Sequence, residues 1–251
     1  MNRSLRVKAG RWALSIGLFF VIWEVIGRSG VFLSVVPASE AIPELFRLFG
    51  EGEILVAAKS TLTLAATGFL IGGVLGVAVG TWIATSRRAA AVLDPLVNAS
   101  FAVPFAIFIP VISIYLGLEF TAKVFLVILF NVFIIIINTA TGIREVPSGA
   151  REMARAFGID RWGMYRKVVF PWASPHIITG LRLGVGRSVQ GAILADLFLR
   201  AQALGLFIVD AQGRFDIPRL LATVFFVTIL AAGVMGIARL IEWRLLAWKR
   251  A

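Results

Sequence analysis

The apolar residues of this chain fall into long runs separated by short polar or basic stretches, the spacing of a protein that crosses a bilayer repeatedly. Six runs are long enough, at about 11–27, 62–85, 92–118, 124–143, 173–198 and 220–241. They hold 17 to 27 residues, and a helix needs roughly 17–25 to cross about 30 Å of hydrocarbon. The third is interrupted by Pro95, Pro104 and Pro110, and the fifth is unusually polar. The first follows Arg3, Arg6, Lys8 and Arg11 as the core of a signal peptide would. Glu24 and Arg28 stand where a small-residue cleavage site belongs, so it reads as a retained helix. The pattern predicts an all-α membrane protein with one transmembrane domain over 1–251.

Two segments between the runs do not span. Val36-Pro37-Ala38-Ser39-Glu40 leads into 41–49, where Leu45, Phe46, Leu48 and Phe49 fall on the apolar side of a short helix with Ser39 placed to cap it. This predicts an interfacial helix on the outer face. The second is the basic stretch 145–171. Ser148 is placed to cap a helix that starts after Pro147, with Glu152 near its positive end and Gly158 where a left-handed C-cap belongs. Asp160 is placed to cap a second helix that ends before Pro171. The result is a helix-turn-helix outside the membrane, small-faced at Ala154 and Ala156 and ringed by Arg. Two readings fit it: an element that docks into a partner's groove, or an amphipathic loop resting on lipid headgroups.

Charge changes the picture by fixing orientation. With the N-terminus inside, the inside segments hold sixteen Lys and Arg residues and the outside segments seven, the latter roughly matched by acids. That bias puts both termini in the cytoplasm and accounts for the net charge of +11 without nucleic acid. Composition agrees: 59% of the 251 residues are hydrophobic, 16% are charged, and mean hydropathy is +0.90. Cys is absent, which excludes disulfides and thiolate metal sites. No metal-ligand cluster, nucleophile constellation or Gly-x-x-x-x-Gly-Lys-Ser/Thr phosphate loop occurs, so any phosphate cradling must come from another chain.

Glu152-Met153-Ala154, three residues, Gly158, nine residues and Val168-Val169-Phe170-Pro171 resemble the EAA motif of ATP-binding-cassette importer permeases, Glu-Ala-Ala, Gly and Ile-x-Leu-Pro at the same spacing. Met153, Val168 and Phe170 are the substitutions. Further stretches resemble the branch that serves aliphatic sulfonates, taurine and nitrate, among them Leu93-Asp94-Pro95-Leu96, Val103-Pro104 through Ile109-Pro110, Thr179-Gly180-Leu181-Arg182-Leu183-Gly184 and Ala203-Leu204-Gly205-Leu206. The chain departs from that branch at Phe101-Ala102, Glu119-Phe120 and Asp196. The resemblance implies the type I ABC importer permease fold in the bacterial inner membrane, with 145–171 as the coupling loop. Glu152, Met153, Ala154, Ala156, Gly158 and Pro171 would then form the seat of a cytoplasmic ATPase that binds ATP and Mg. It also implies a second permease copy, an extracytoplasmic solute-binding protein, and cargo that is a small anion. A neutral or aromatic cargo such as a pyrimidine or aromatic acid is the alternative. A non-transporting membrane scaffold or sensor is the rival class.

Inside the membrane, ionisable residues cost about 2.5–3.5 kcal/mol on insertion scales and usually face a cavity or partner. Arg187 lies near the middle of the fifth run, with Ser188 and Gln190 beside it. These line a passage that tolerates an anion, or else Arg187 is bonded to carbonyls freed by Pro104 or Pro110. Phe101, Phe105, Phe108 and Tyr115 form a gate on one reading and ordinary core on the other. Gly68, Gly72, Gly76 and Gly80 recur every four residues, a ridge for close helix packing or a sliding surface. Asp196 and Glu24 are expected to pair with outer-face basic residues, and His176 to reach toward the cytoplasmic interface.

Overall fold

The computed structural model describes residues 2–30, 35–199 and 203–249, and these are helical without a strand. The α-helices in order are α1 (Asn2–Arg28), α2 (Ala38–Glu51), α3 (Glu53–Thr85), α4 (Arg87–Ala99), α5 (Ile109–Leu116), α6 (Phe120–Arg144), α7 (Ser148–Ala156), α8 (Arg161–Met164), α9 (Phe170–Phe198), α10 (Leu204–Gly213) and α11 (Ile217–Leu245). Among the described residues α3, α6 and α11 are long and apolar enough to cross a membrane. The 29-residue α9 is equally long but carries Arg182, Arg187 and Asp196.

The third apolar run is not one helix. Pro95 sits inside α4 without ending it, and Pro110 occupies the first turn of α5, where its missing N–H is not needed. Pro104 does the breaking. It holds Val103 extended (φ −88°, ψ 118°) between two short 3-10 turns, Ser100–Ala102 and Phe105–Phe108.

The centre is α6 packed between α3 and α9. Gly68, Gly72, Gly76 and Gly80 of α3 meet Val127, Asn131, Ile135 and Thr139 of α6, so two rows with the same four-residue period lie against each other. A Cβ at Gly76 would stand 2.7 Å from Ile135, and one at Gly80 would stand 2.7 Å from the Ile136 carbonyl oxygen. On the other side Gly180, Gly184 and Gly191 of α9 let Asn138, Ile135 and Phe130 in equally close. Asn131 is fully buried at the junction. Its amide nitrogen lies 3.1 Å from the Gly68 carbonyl, 2.9 Å from the Val127 carbonyl and 2.9 Å from the Ser188 hydroxyl, which donates on to the Gly184 carbonyl at 2.9 Å. One side chain thus ties three helices where no water competes.

One end of the bundle is built by α2, α10 and the first half of α11. Leu45 and Leu48 of α2 pack with Ile54, Ala57, Ala222 and Phe226, and Phe49 meets Phe226 edge-on at 5.2 Å. Leu45 and Leu48 of α2 are therefore buried in the protein, while Phe46 and Phe49 are left 69% and 39% exposed. Ser39 is not the cap: α2 begins at Ala38 after Pro37, and Ser39 donates both its N–H (3.0 Å) and its hydroxyl (2.9 Å) to Glu24 of α1. Glu24 also pairs with Arg28 at 2.6 Å, as expected of it. Asp196 differs. Buried in the bundle under α10, with Gly205 against its backbone, it accepts a hydrogen bond from Thr61 at 2.6 Å; it makes no close ion pair among the described residues, and Lys123 acts on it only through space.

Candidate functional site

Two groups of residues stand out, one on an elbow at the end of the bundle and one beside the Pro104 break. The elbow starts at Pro147, which is the N-cap of α7, so Ser148 is the first helical residue rather than the cap. Its end is a Schellman motif. The Gly158 N–H bonds the Arg155 carbonyl (2.9 Å), the Ile159 N–H bonds the Ala154 carbonyl (3.1 Å), and Gly158 has φ +74°. Asp160 then caps α8, accepting from the Gly163 N–H at 3.1 Å. The second helix does not stop before Pro171. Residues Tyr165–Val169 form a π turn, in which the Phe170 N–H bonds the Tyr165 carbonyl five residues back, and α9 follows directly. The wider turn lets a proline without an N–H pass at the first turn of α9.

This geometry sorts the faces of α7. Ala154 is turned in (5% exposed), while Ala156 faces out with Glu152, so the two alanines do not share a face. Met153 and Phe157 occupy one flank, 63% and 80% exposed, beside a 380 Å³ hollow that Ala154, Pro171, Trp172 and Trp248 also line. Arg151 and Arg155 occupy the other flank. Glu152, Met153, Ala154, Gly158 and Pro171 are thus brought together on one small element, and Phe157 joins them. Sequence reasoning missed Phe157, although an aromatic residue at the solvent end of a polar helix was there to be noticed.

Beside the break, Arg187 of α9 and Phe105 line one cavity of about 290 Å³ with Pro104, Phe130 and Phe133. Phe105 stacks on Phe133 at 5.4 Å with an interplanar angle of 5°, and lies 6.0 Å from Phe130. The hydrogen bond of Arg187 is a long one, 3.4 Å to Gln190 Oε1, and no described carbonyl takes its guanidinium. Gln190 is exposed beside it. Ser188 does not join them: it is 1% exposed and faces Asn131, because it stands about 100° round α9 from Arg187. Phe108 lines a neighbouring, larger apolar hollow of about 810 Å³ with Tyr115, Phe125 and Phe133. The Phe101 side chain lies outside the described residues.

Other polar residues of α9 are spent on structure. Arg182 pairs with Glu242 of α11 at 2.6 Å, and Thr179 donates to the same carboxylate at 2.9 Å. His176 Nε2 lies 2.8 Å from Glu145, just past the end of α6. Asn131 was missed as the residue that joins the bundle, though an amide with apolar neighbours on both sides is a visible signal.

The model of the family described as "Binding-protein-dependent transport system inner membrane component" matches residues 68–246. The SsuC protein of Bacillus subtilis, named for aliphatic sulfonates transport, is 29% identical over 99% of this chain and 93% of its own length. The nitrate import permease protein NrtB of Synechocystis is 26% identical over 89% of this chain and 84% of its own. Among solved structures, the crystal structure of an amino acid ABC transporter with histidines superposes with a TM-score of 0.67 at 17% identity, covering 80% of this chain and 97% of that one. That likeness confirms the all-α importer-permease fold.

Proposed function

This chain belongs to the family of binding-protein-dependent transport system inner membrane components, and from that premise we propose how it works as the permease subunit of an ABC importer. The α7–α8 elbow seats in a separate cytoplasmic ATPase that binds ATP and Mg. Two permease copies form the passage, and a solute-binding protein delivers cargo from outside. The observation that carries the coupling role is the elbow's exposed pair Met153 and Phe157, which project from a helix locked by the Gly158 turn. Exposed apolar side chains on a rigid, polar element are anchors for a groove.

Gly158→Val tests it. A Cβ at Gly158 meets nothing within 4 Å, so the cost is the positive φ alone, about 1–2 kcal/mol or more for a β-branched residue. The Schellman turn should open and α7 should lose its fixed angle. ATPase recovery with the purified permease is expected to fall at least several-fold. Gly149→Ala, which adds a methyl in open space at a helical position of α7, should leave recovery unchanged. Normal recovery and uptake by Gly158→Val would remove the coupling role.

The same reading places both termini and the elbow in the cytoplasm and α2 outside. Cysteines introduced at Ser39 and Ser148, both exposed, report the sides cleanly because the native chain has no Cys. They should react with an impermeant thiol reagent from opposite faces of the membrane, and reaction from one face would overturn the orientation.

The cargo is proposed to be a small anion of the sulfonate or nitrate kind. Arg187 supports this, as a side chain with uncommitted donors at an aromatic-walled cavity beside the helix break. Uptake of radiolabelled alkanesulfonate, taurine and nitrate into proteoliposomes, with the cognate binding protein, would decide among them. Preference for an uncharged pyrimidine would overturn the anionic reading.

A further inference from the structure

We propose that the arginine flank of the elbow is a binding site for a phosphate group, supplied by an anionic phospholipid of the inner leaflet. The site is a cavity of about 440 Å³ between the elbow and the ends of the central helices. Arg151 and Arg155 of α7 and Arg161 of α8 line it, facing Thr85 at the end of α3 and Ile143 near the end of α6. The placement at the cytoplasmic ends of these helices rests on the orientation proposed above.

Most of the guanidinium donors in this cavity are not used by the fold. Arg155 and Arg161 have no hydrogen-bond or ion-pair partner among the described residues. Arg151 gives one nitrogen to the Ile143 carbonyl at 2.6 Å, and its Nε is buried with no acceptor. A buried N–H without a partner is rare enough to call for an explanation. The single carboxylate in the lining, Asp160, is already engaged as the cap of α8. Three guanidinium groups, each a planar fork of donors, therefore surround an empty space with one committed acid. Guanidinium forks match phosphate oxygens two at a time.

The remaining lining decides between a lipid and a protein occupant. Ala84, Ile143, Met164 and Val169 make the inner wall apolar at the level where the central helices end, so headgroup and first acyl carbons are both accommodated. Basic pockets at this depth bind anionic headgroups. The flank also points away from the outward Glu152–Ala156 face of α7, and from the Met153–Phe157 flank assigned to the ATPase. A lipid held here would brace the elbow against the bundle from the side the ATPase does not touch.

The test uses the full-length, delipidated permease in mixed micelles, titrated with short-chain phosphatidylglycerol. The variant R155Q/R161Q removes two charges that bond nothing in the fold, and R87Q/R88Q removes two neighbouring charges outside the cavity as control. Saturable binding is expected, weakened about tenfold or more in R155Q/R161Q and within about twofold of wild type in the control. Displacement by inorganic phosphate only at much higher concentration identifies the lipid as source. Displacement at equal concentration assigns the site to a free phosphate group instead and overturns the lipid part. Equal weakening in both variants, or none in either, overturns the site altogether. ATPase recovery in detergent without phosphatidylglycerol separates this from the coupling role. If R155Q/R161Q loses the ATPase there, the cavity belongs to the ATPase seat and the proposal fails, while the coupling reading stands.

Discussion

Gly72→Val is expected to prevent the central helices from closing, with loss of most folded permease. A Cβ at Gly72 would overlap the Asn131 amide oxygen, and no exposed, flexible end is available to move away. Asn131 would have to leave its place between Gly68, Val127 and Ser188, and its hydrogen bonds would break with it. Overpacking costs about 1–3 kcal/mol, and stranding a buried amide costs roughly as much again. Against a total stability of about 5–15 kcal/mol that is a severe loss. The measurement is recovery of monodisperse protein and its melting temperature in detergent. Gly233→Ala, on α11 with nothing within 4 Å, is the control and should melt within a few degrees of wild type. Because the clash is with one side chain, Asn131→Ala combined with Gly72→Ala should be less damaging than the sum of the two single changes. Strict additivity, or a Gly72→Val protein that melts normally, would show that the α3–α6 contact is looser than the geometry says.

That contact also marks how much was legible beforehand. The four-residue spacing of Gly68, Gly72, Gly76 and Gly80 announced a close helix partner, but not its identity. The partner is written in the matching spacing of Val127, Asn131, Ile135 and Thr139, which becomes informative only once two helices are known to touch. Apolar runs located α3, α6 and α11 because length and hydropathy are local properties. Prolines were read less well, since the effect of each depends on where it falls in its helix. Pro110 and Pro171 sit in first turns and cost nothing, Pro95 is carried through α4, and Pro104 alone breaks the chain. Caps failed where the acceptor comes from elsewhere, as Glu24 does for Ser39. The elbow was legible because its glycine, its aspartate cap and its two short helices are all local signals. Side-chain direction on α9 was not, and it separates Ser188 from Arg187 by one residue.

Arg187→Gln is expected to assemble normally with the ATPase and yet lose transport. The fold makes little use of this arginine, whose hydrogen bond to Gln190 at 3.4 Å is long, and a glutamine at 187 can keep a polar contact there. Its location accounts for why a costly charge is tolerated. It lies mid-way along α9, beside the Pro104 break, at a cavity whose other walls are Phe105, Phe130 and Phe133. The aromatic and aliphatic walls supply no counter-charge, so a fixed cation here would lower the barrier for an anion. Most of the five guanidinium donors would then be free for a sulfonate or nitrate oxygen. Removing one charge-assisted contact is worth about 1.5–3 kcal/mol, which corresponds to roughly a tenfold to hundredfold loss of uptake. Arg187→Lys keeps the charge without the fork and should recover part of it. The measurement is uptake per assembled complex in liposomes, with ATPase recovery checked on the same samples. A glutamine variant that fails to assemble would make Arg187 a structural residue. One that assembles and transports at the wild-type rate would move the cargo contact away from this cavity.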